Sequence, residues 1–166
     1  MESAPAGWQR FVMKSRFGAG RDFEVLDGDE QRRYYVDGHL GTTPKAEILG
    51  PDGTIIYNVV GRLLGIPKHM TITDAAGEQV ASMKAKLFSP IKNTIDMVTA
   101  AGAHWHIEGT LIEKDYSVSA DGVPIIQISQ KWVHVRDTYT LDVVDGIDPG
   151  LALAVVWTID RFVERD

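Results

Sequence analysis

The 166-residue chain contains no cysteine. That absence removes disulfide staples, thiolate nucleophiles and cysteine-ligated zinc together. Positive charge is also scarce, with 17 Lys and Arg against 23 Asp and Glu and a net charge of −6. A general nucleic-acid binder needs a basic field, so no nucleic-acid partner is expected. Broad adhesion to anionic membranes is disfavoured too, which leaves room only for a local basic patch. Residues Met1 to Trp8 show no basic segment followed by an apolar one, so no signal peptide is expected. No glycine follows Met1 for myristoylation, and no C-terminal cysteine is present for prenylation. The expected location is cytoplasmic, at most peripheral to a membrane.

Catalytic signatures are missing as well. The chain has no G-x-S-x-G elbow, no H-E-x-x-H pair and no G-x-G-x-x-G after a strand. Asp27 and Asp29 are paired carboxylates, but they sit in a turn, where Asp has a local role. No enzymatic activity and no cofactor are expected.

What is present is β-sheet. Turn signals recur at Asp27-Gly28, Asp52-Gly53, Ala76-Gly77, Ala101-Gly102 and Asp121-Gly122. Glycine supplies positive φ at little steric cost, and Asp bonds its own turn, so each reads as a hairpin. The β-branched and aromatic runs between them predict twelve strands, near 9–14, 22–26, 33–37, 45–49, 54–60, 69–73, 79–87, 93–98, 104–109, 115–119, 123–131 and 138–144. In the seventh, Met83, Ala85 and Leu87 share one face while Lys84 and Lys86 share the other. A weak internal repeat lays Asp52–Thr73 over Asp121–Asp142, with Arg62 falling on Lys131. Residues 1–8 are expected to be a flexible tail and 9–166 a single domain. So many short strands in one domain predict a closed barrel or a sandwich, because open edges invite aggregation.

The pattern changes at Asp148-Pro149-Gly150. Asp148 is a good helix N-cap, and Pro149 suits the first helical position, where no N–H is needed. Leu151 to Ile159 follows without a charge. Eleven residues separate Asp148 from Asp160, roughly 17 Å of helix against a hydrocarbon core of about 30 Å. That is too short to span a membrane, and a helix apolar on every side cannot lie on a surface. Only a closed sheet surrounds a helix completely. The predicted architecture is therefore an antiparallel barrel of about twelve strands enclosing a hydrophobic helix at about 148–163.

Several segments then carry a family resemblance. They include Phe11-Val-Met-Lys14, Tyr35-Val-Asp-Gly38, Ile66-Pro-Lys-His-Met-Thr-Ile72, Trp105-His-Ile-Glu-Gly109 and Asp137-Thr-Tyr-Thr-Leu-Asp-Val143, and they end with Asp148-Pro-Gly through Asp160. Over about Arg10 to Glu164 the chain resembles the LURP-one-related family, grouped with Tubby C-terminal domains and phospholipid scramblases. The resemblance implies a twelve-stranded barrel around a central helix. For Tubby-like domains it implies phosphoinositide binding through surface Lys and Arg. Scramblase chemistry does not carry over, because the chain lacks both a cysteine cluster and an EF-hand-like spacing.

The basic residues considered for an anionic headgroup are Arg62, Lys68, Lys84, Lys86 and Lys92, with Lys131 equivalent to Arg62. The competing view makes them solvated outward positions. His104 and His106 share a strand face with Glu108, a spacing that can serve a metal; two ordinary barrel histidines are the expected reading. Trp8, Trp105, Trp132 and Trp157 are expected to pack. With a helix filling the barrel, no lipocalin-style cavity remains. The leading expectation is a non-enzymatic binding module for phosphoinositide-like or anionic lipid headgroups on the barrel exterior. The alternative is a protein–protein interaction module with no lipid ligand.

Overall fold

The computed structural model describes residues 4–16, 22–39, 43–62, 68–85, 95–110, 115–130 and 138–163. Twelve strands precede one helix: β1 (Trp8–Ser15), β2 (Phe23–Leu26), β3 (Arg32–His39), β4 (Lys45–Leu49), β5 (Ile55–Arg62), β6 (Lys68–Asp74), β7 (Gln79–Ala85), β8 (Ile95–Thr99), β9 (His104–Thr110), β10 (Asp115–Ala120), β11 (Val123–Ser129), β12 (Thr138–Val144) and α1 (Pro149–Val163). Every strand pairs antiparallel with its neighbours in sequence, and β1 pairs with β12 to close the barrel. This is the architecture expected from the sequence. Full closure removes the free edges that a twelve-stranded open sheet would present.

The barrel has two unlike ends. At one, tight turns join β2–β3, β4–β5, β6–β7, β8–β9 and β10–β11, and the chain passes from β12 into α1. We call this the turn end. Four of these turns share one hydrogen-bond pattern, seen in Asp74, whose N–H donates to Glu78 O while Gly77 N–H donates to Asp74 O. Gly53, Gly77 and Gly102 hold φ near +80° there. The first hairpin departs from expectation. Its positive φ belongs to Glu30 (60°), not to Gly28, and the Asp27 carboxylate braces the turn by accepting from the N–H groups of Asp29 and Gln31. Asp121-Gly122 is a two-residue loop with both φ positive, the form whose twist matches that of the strands. The opposite, loop end carries the longer connections.

Alternation dictates the core. Met70 and Ile72 of β6, Ala81 and Met83 of β7, and Leu141 and Val143 of β12 face inward and are buried. Residues Ala152 to Ile159 of α1 are each 0–1% exposed, as a helix with no polar face requires. Its Thr158 hydroxyl is satisfied by donating to Ala154 O (2.9 Å). The helix approaches closest to β3–β6, where small residues make room. A Cβ on Gly150 would come within 2.7 Å of Ile56 Cδ1. A Cβ on Gly61 would instead collide with Met70 and the His69 carbonyl of the neighbouring strand β6. Trp105, Tyr116 and Tyr139 are buried on the far wall. Trp157 is buried too, whereas Trp132 lies outside the described residues. Among the described residues, no helix is long and apolar enough to cross a membrane.

Candidate functional site

The sequence-predicted basic residues separate once placed. Lys68 is on the inward-facing register of β6, with Met70 and Ile72. Its ammonium donates to the Phe162 carbonyl at the C-terminus of α1 (3.4 Å), where a cation complements the helix dipole. Lys84 is exposed on the outer face of β7, opposite His69 on β6 and Asp96 on β8. The two lysines therefore do not converge. Arg62 ends β5, and Lys86, Lys92 and Lys131 lie outside the described residues. His104 and His106 are exposed on the outer face of β9 with Glu108, and Asp96 faces His106 across the strand pair. The group of potential ligands that does come together among the described residues is a different one, Asp37, His39 and Glu47.

Charge is distributed along the barrel axis. The connections at the turn end (27–31, 50–54, 74–78, 99–103, 121–122 and 145–148) hold nine acidic residues and no Lys or Arg. Arg10, Arg32 and Arg33 sit on the strands beside that end, whereas Lys14, Arg16, Lys45, Arg62, Lys68, Lys84 and Arg161 lie toward the loop end. The turns themselves, where α1 begins, are acidic.

A broad concavity opens at that end. It is a groove of about 870 Å³ beside the start of α1, bounded by Tyr34, Ile56, Tyr57, the 50–54 and 74–76 turns and Asp148. Tight packing of the first helical turn against β5 explains its form. Asp148 caps the helix as expected, its Oδ1 accepting from Gly150 N–H (3.0 Å) and its carbonyl from Ala152 N–H (3.1 Å). Its second carboxylate oxygen accepts a short hydrogen bond from the Tyr57 hydroxyl. Burial first, and then this bond to an anion, push the Tyr57 phenol far above its ordinary range. Burial and the Asp148 charge raise Tyr34 as well. Both phenols stay neutral at physiological pH and present aromatic walls. The Asp52 carboxyl is held below the usual carboxylate range, chiefly by the Thr54 hydroxyl and then by its N–H. Asp74 accepts from the N–H groups of Ala76 and Glu78 (2.9 Å each). The lining therefore offers three turn-fixed carboxylates, two aromatic rings and an aliphatic floor, with no Lys or Arg.

A second groove of about 700 Å³ lies across Tyr34 and is lined by Trp8, Arg10, Phe11, Arg33 and Pro149 among others. There Arg10 donates to both oxygens of Asp142, from Nε (2.8 Å) and Nη2 (2.9 Å), which rivets β1 to β12. Sequence reasoning treated Asp52 as a turn residue and Asp148 as a helix cap, and gave Asp74 no role. Their convergence with Tyr34 and Tyr57 has no local signature.

Known proteins show the same frame. The chain is 23% identical over 159 residues to YxjI, an uncharacterized protein of Bacillus subtilis (strain 168), covering 94% of each. It superposes on a solved structure of a protein from Arabidopsis thaliana with a TM-score of 0.66 at 13% identity, over 94% of this chain and 93% of that one. The family model described as LURP-one-related matches residues 9–160, spanning the barrel from β1 into the last turns of α1, and the chain belongs to the LURP-one-related family.

Proposed function

We propose that the domain is a non-enzymatic binding module, and that its main ligand is a basic polypeptide segment taken into the groove at the turn end. The observation that carries this is the groove lining: Asp52, Asp74 and Asp148 around Tyr34, Tyr57 and Ile56, without a cation. Carboxylates meet Lys or Arg heads, aromatic faces add cation–π attraction, and the aliphatic floor takes the stem or an adjacent apolar side chain. A helix-filled barrel leaves its rim and outer surface as the places to bind. The test uses a short synthetic peptide with two arginines flanking a leucine, titrated into ¹⁵N-labelled protein. Amide shifts are expected at Tyr34, 50–57, 74–76 and Asp148, weakening with added salt and lost in the Asp52→Asn/Asp74→Asn double variant. Absence of shifts at millimolar peptide, or shifts that survive in the variant, refutes the reading.

A second reading, an anionic lipid headgroup at the loop end, is supported by Lys14, Arg16, Lys45 and Lys84, which lie toward that end. Cosedimentation with phosphoinositide-containing liposomes separates the two. Equal binding by wild type and Lys84→Glu/Lys86→Glu removes that basic-patch reading.

A further inference from the structure

We propose that Asp37, His39 and Glu47, on the outer face of β3 and β4, form a binding site for a first-row divalent transition-metal ion, Zn²⁺ being the probe of choice. The strand geometry assembles them. Asp37 and His39 are two apart on β3 and so share a face. The β3–β4 register sets Asp37 directly opposite Glu47, and His39 two residue pairs further toward the loop end, opposite Lys45. One ligand atom from each of the three falls within 4.8 Å of the others. His39 Nε2 is 2.9 Å from Glu47 Oε1 and 3.9 Å from Asp37 Oδ2. Bonds of about 2.0–2.2 Å to Zn²⁺ in a tetrahedron place ligand atoms about 3.3 Å apart. The observed distances bracket that value, so side-chain rotations suffice and the backbone need not move.

The backbone between the ligands is already fixed. Gly38, which separates Asp37 from His39, donates its N–H to Asp22 Oδ1 (2.9 Å). The other oxygen of Asp22 accepts from the Tyr35 hydroxyl (3.0 Å). Asp22 thus braces the strand between Asp37 and His39 without being a ligand. Glu47 is the most sheltered of the three, its side chain 25% exposed against 44% for His39. The open outer side leaves a fourth position for water.

The chemistry selects the ion class. One imidazole with two carboxylates suits Zn²⁺ and its first-row neighbours, whereas Mg²⁺ and Ca²⁺ take oxygen ligands throughout. The 2.9 Å contact between Nε2 and Oε1 is a hydrogen bond when the neutral ring carries its single proton on Nε2. Metal binding takes the Nε2 lone pair, so that one proton moves to Nδ1 and the ring stays neutral. This differs from the His104 and His106 pair, which gathers no third ligand atom among the described residues.

The experiment is calorimetric titration of chelator-treated full-length protein with ZnCl₂ and, separately, MgCl₂, alongside long-range ¹H–¹⁵N spectra of the histidine rings. One equivalent of Zn²⁺ is expected to bind, Mg²⁺ is not, and the His39 Nε2 resonance is expected to move. His39→Ala and Glu47→Gln are expected to weaken Zn²⁺ binding about tenfold or more, while His104→Ala leaves it unchanged. No saturable heat, an unmoved His39 ring, full affinity in His39→Ala, or loss of binding in His104→Ala each overturns the proposal.

Discussion

Replacing Val156 by Asp tests whether α1 is enclosed on all sides. Val156 is 1% exposed, midway along α1, with its neighbours Val155 and Trp157 equally buried. Removing its side chain forfeits roughly 1.5–3 kcal/mol of burial. The incoming carboxyl finds no charge on the helix from Leu151 to Ile159, so even its neutral form costs roughly 2–7 kcal/mol more. The combined loss, about 4–10 kcal/mol, rivals the whole stability of an ordinary domain, about 5–15 kcal/mol. Val156→Thr is the control of matched shape. Its hydroxyl can donate to the Ala152 carbonyl, as Thr158 does to Ala154 at 2.9 Å, so its cost is expected to stay near 1–2 kcal/mol. Urea unfolding followed by fluorescence reads both, since Trp105 and Trp157 are buried in the native barrel. The Asp variant is expected to be unfolded or nearly so without denaturant, and the Thr variant folded with a modestly lower midpoint. An Asp variant as stable as wild type would place the helix against water and refute the enclosed-helix account.

Two further outcomes follow from buried polar groups. Arg10 and Asp142 have side chains only 11% and 9% exposed, so Arg10→Ala strands a buried carboxylate. It is expected to cost about 3–5 kcal/mol in urea titration, with Arg10→Met/Asp142→Leu recovering most of the loss. Tyr116 is buried, its hydroxyl has no hydrogen-bond partner among the described residues, and burial holds its phenol well above 10. A phenol raised in the folded state contributes stability that is complete below about pH 10 and lost as pH climbs toward the folded value. Tyr57 acts in the same direction. Alkaline titration should therefore lower the unfolding midpoint above pH 10. Tyr116→Phe should flatten that fall while costing little at pH 7, and an unchanged pH profile would contradict the assignment.

Much of the fold was legible because its signals are local. A strand declares itself by alternation over a few residues, as Met83–Lys84–Ala85 does. The helix declared itself by a charge-free run with Asp148 and Pro149 at its start. Contacts between distant segments were not legible. Arg10 meets Asp142 across 132 residues, and Tyr57 meets Asp148 across 91. Neither pair exists until the barrel closes and the helix enters. Lys68 was misleading for the same reason. Counted with the other lysines as one patch, it lies on the inward register of β6 and meets the helix C-terminus, a pairing that needs the barrel to be assembled. The Asp37, His39 and Glu47 group is a different case. The two-residue spacing that drew notice to His104 and His106 is equally present in Asp37 and His39. What was missing was the β3–β4 register that sets Glu47 opposite Asp37.

Because each strand bonds to the one made just before it, and only β1 with β12 joins the chain's extremes, synthesis and closure are far apart in time. A chain made only as far as β11 would present two bare sheet edges and an apolar inner face. Neither the edge partner, Thr138–Val144, nor the filling, Pro149–Val163, exists until the last part of translation. At roughly 5–20 residues per second, such a chain waits several seconds for both. Premature termination anywhere before β12 therefore yields an open, sticky sheet instead of a smaller working domain. Closure thus depends on β12 and α1, which follow the other strands in chain order.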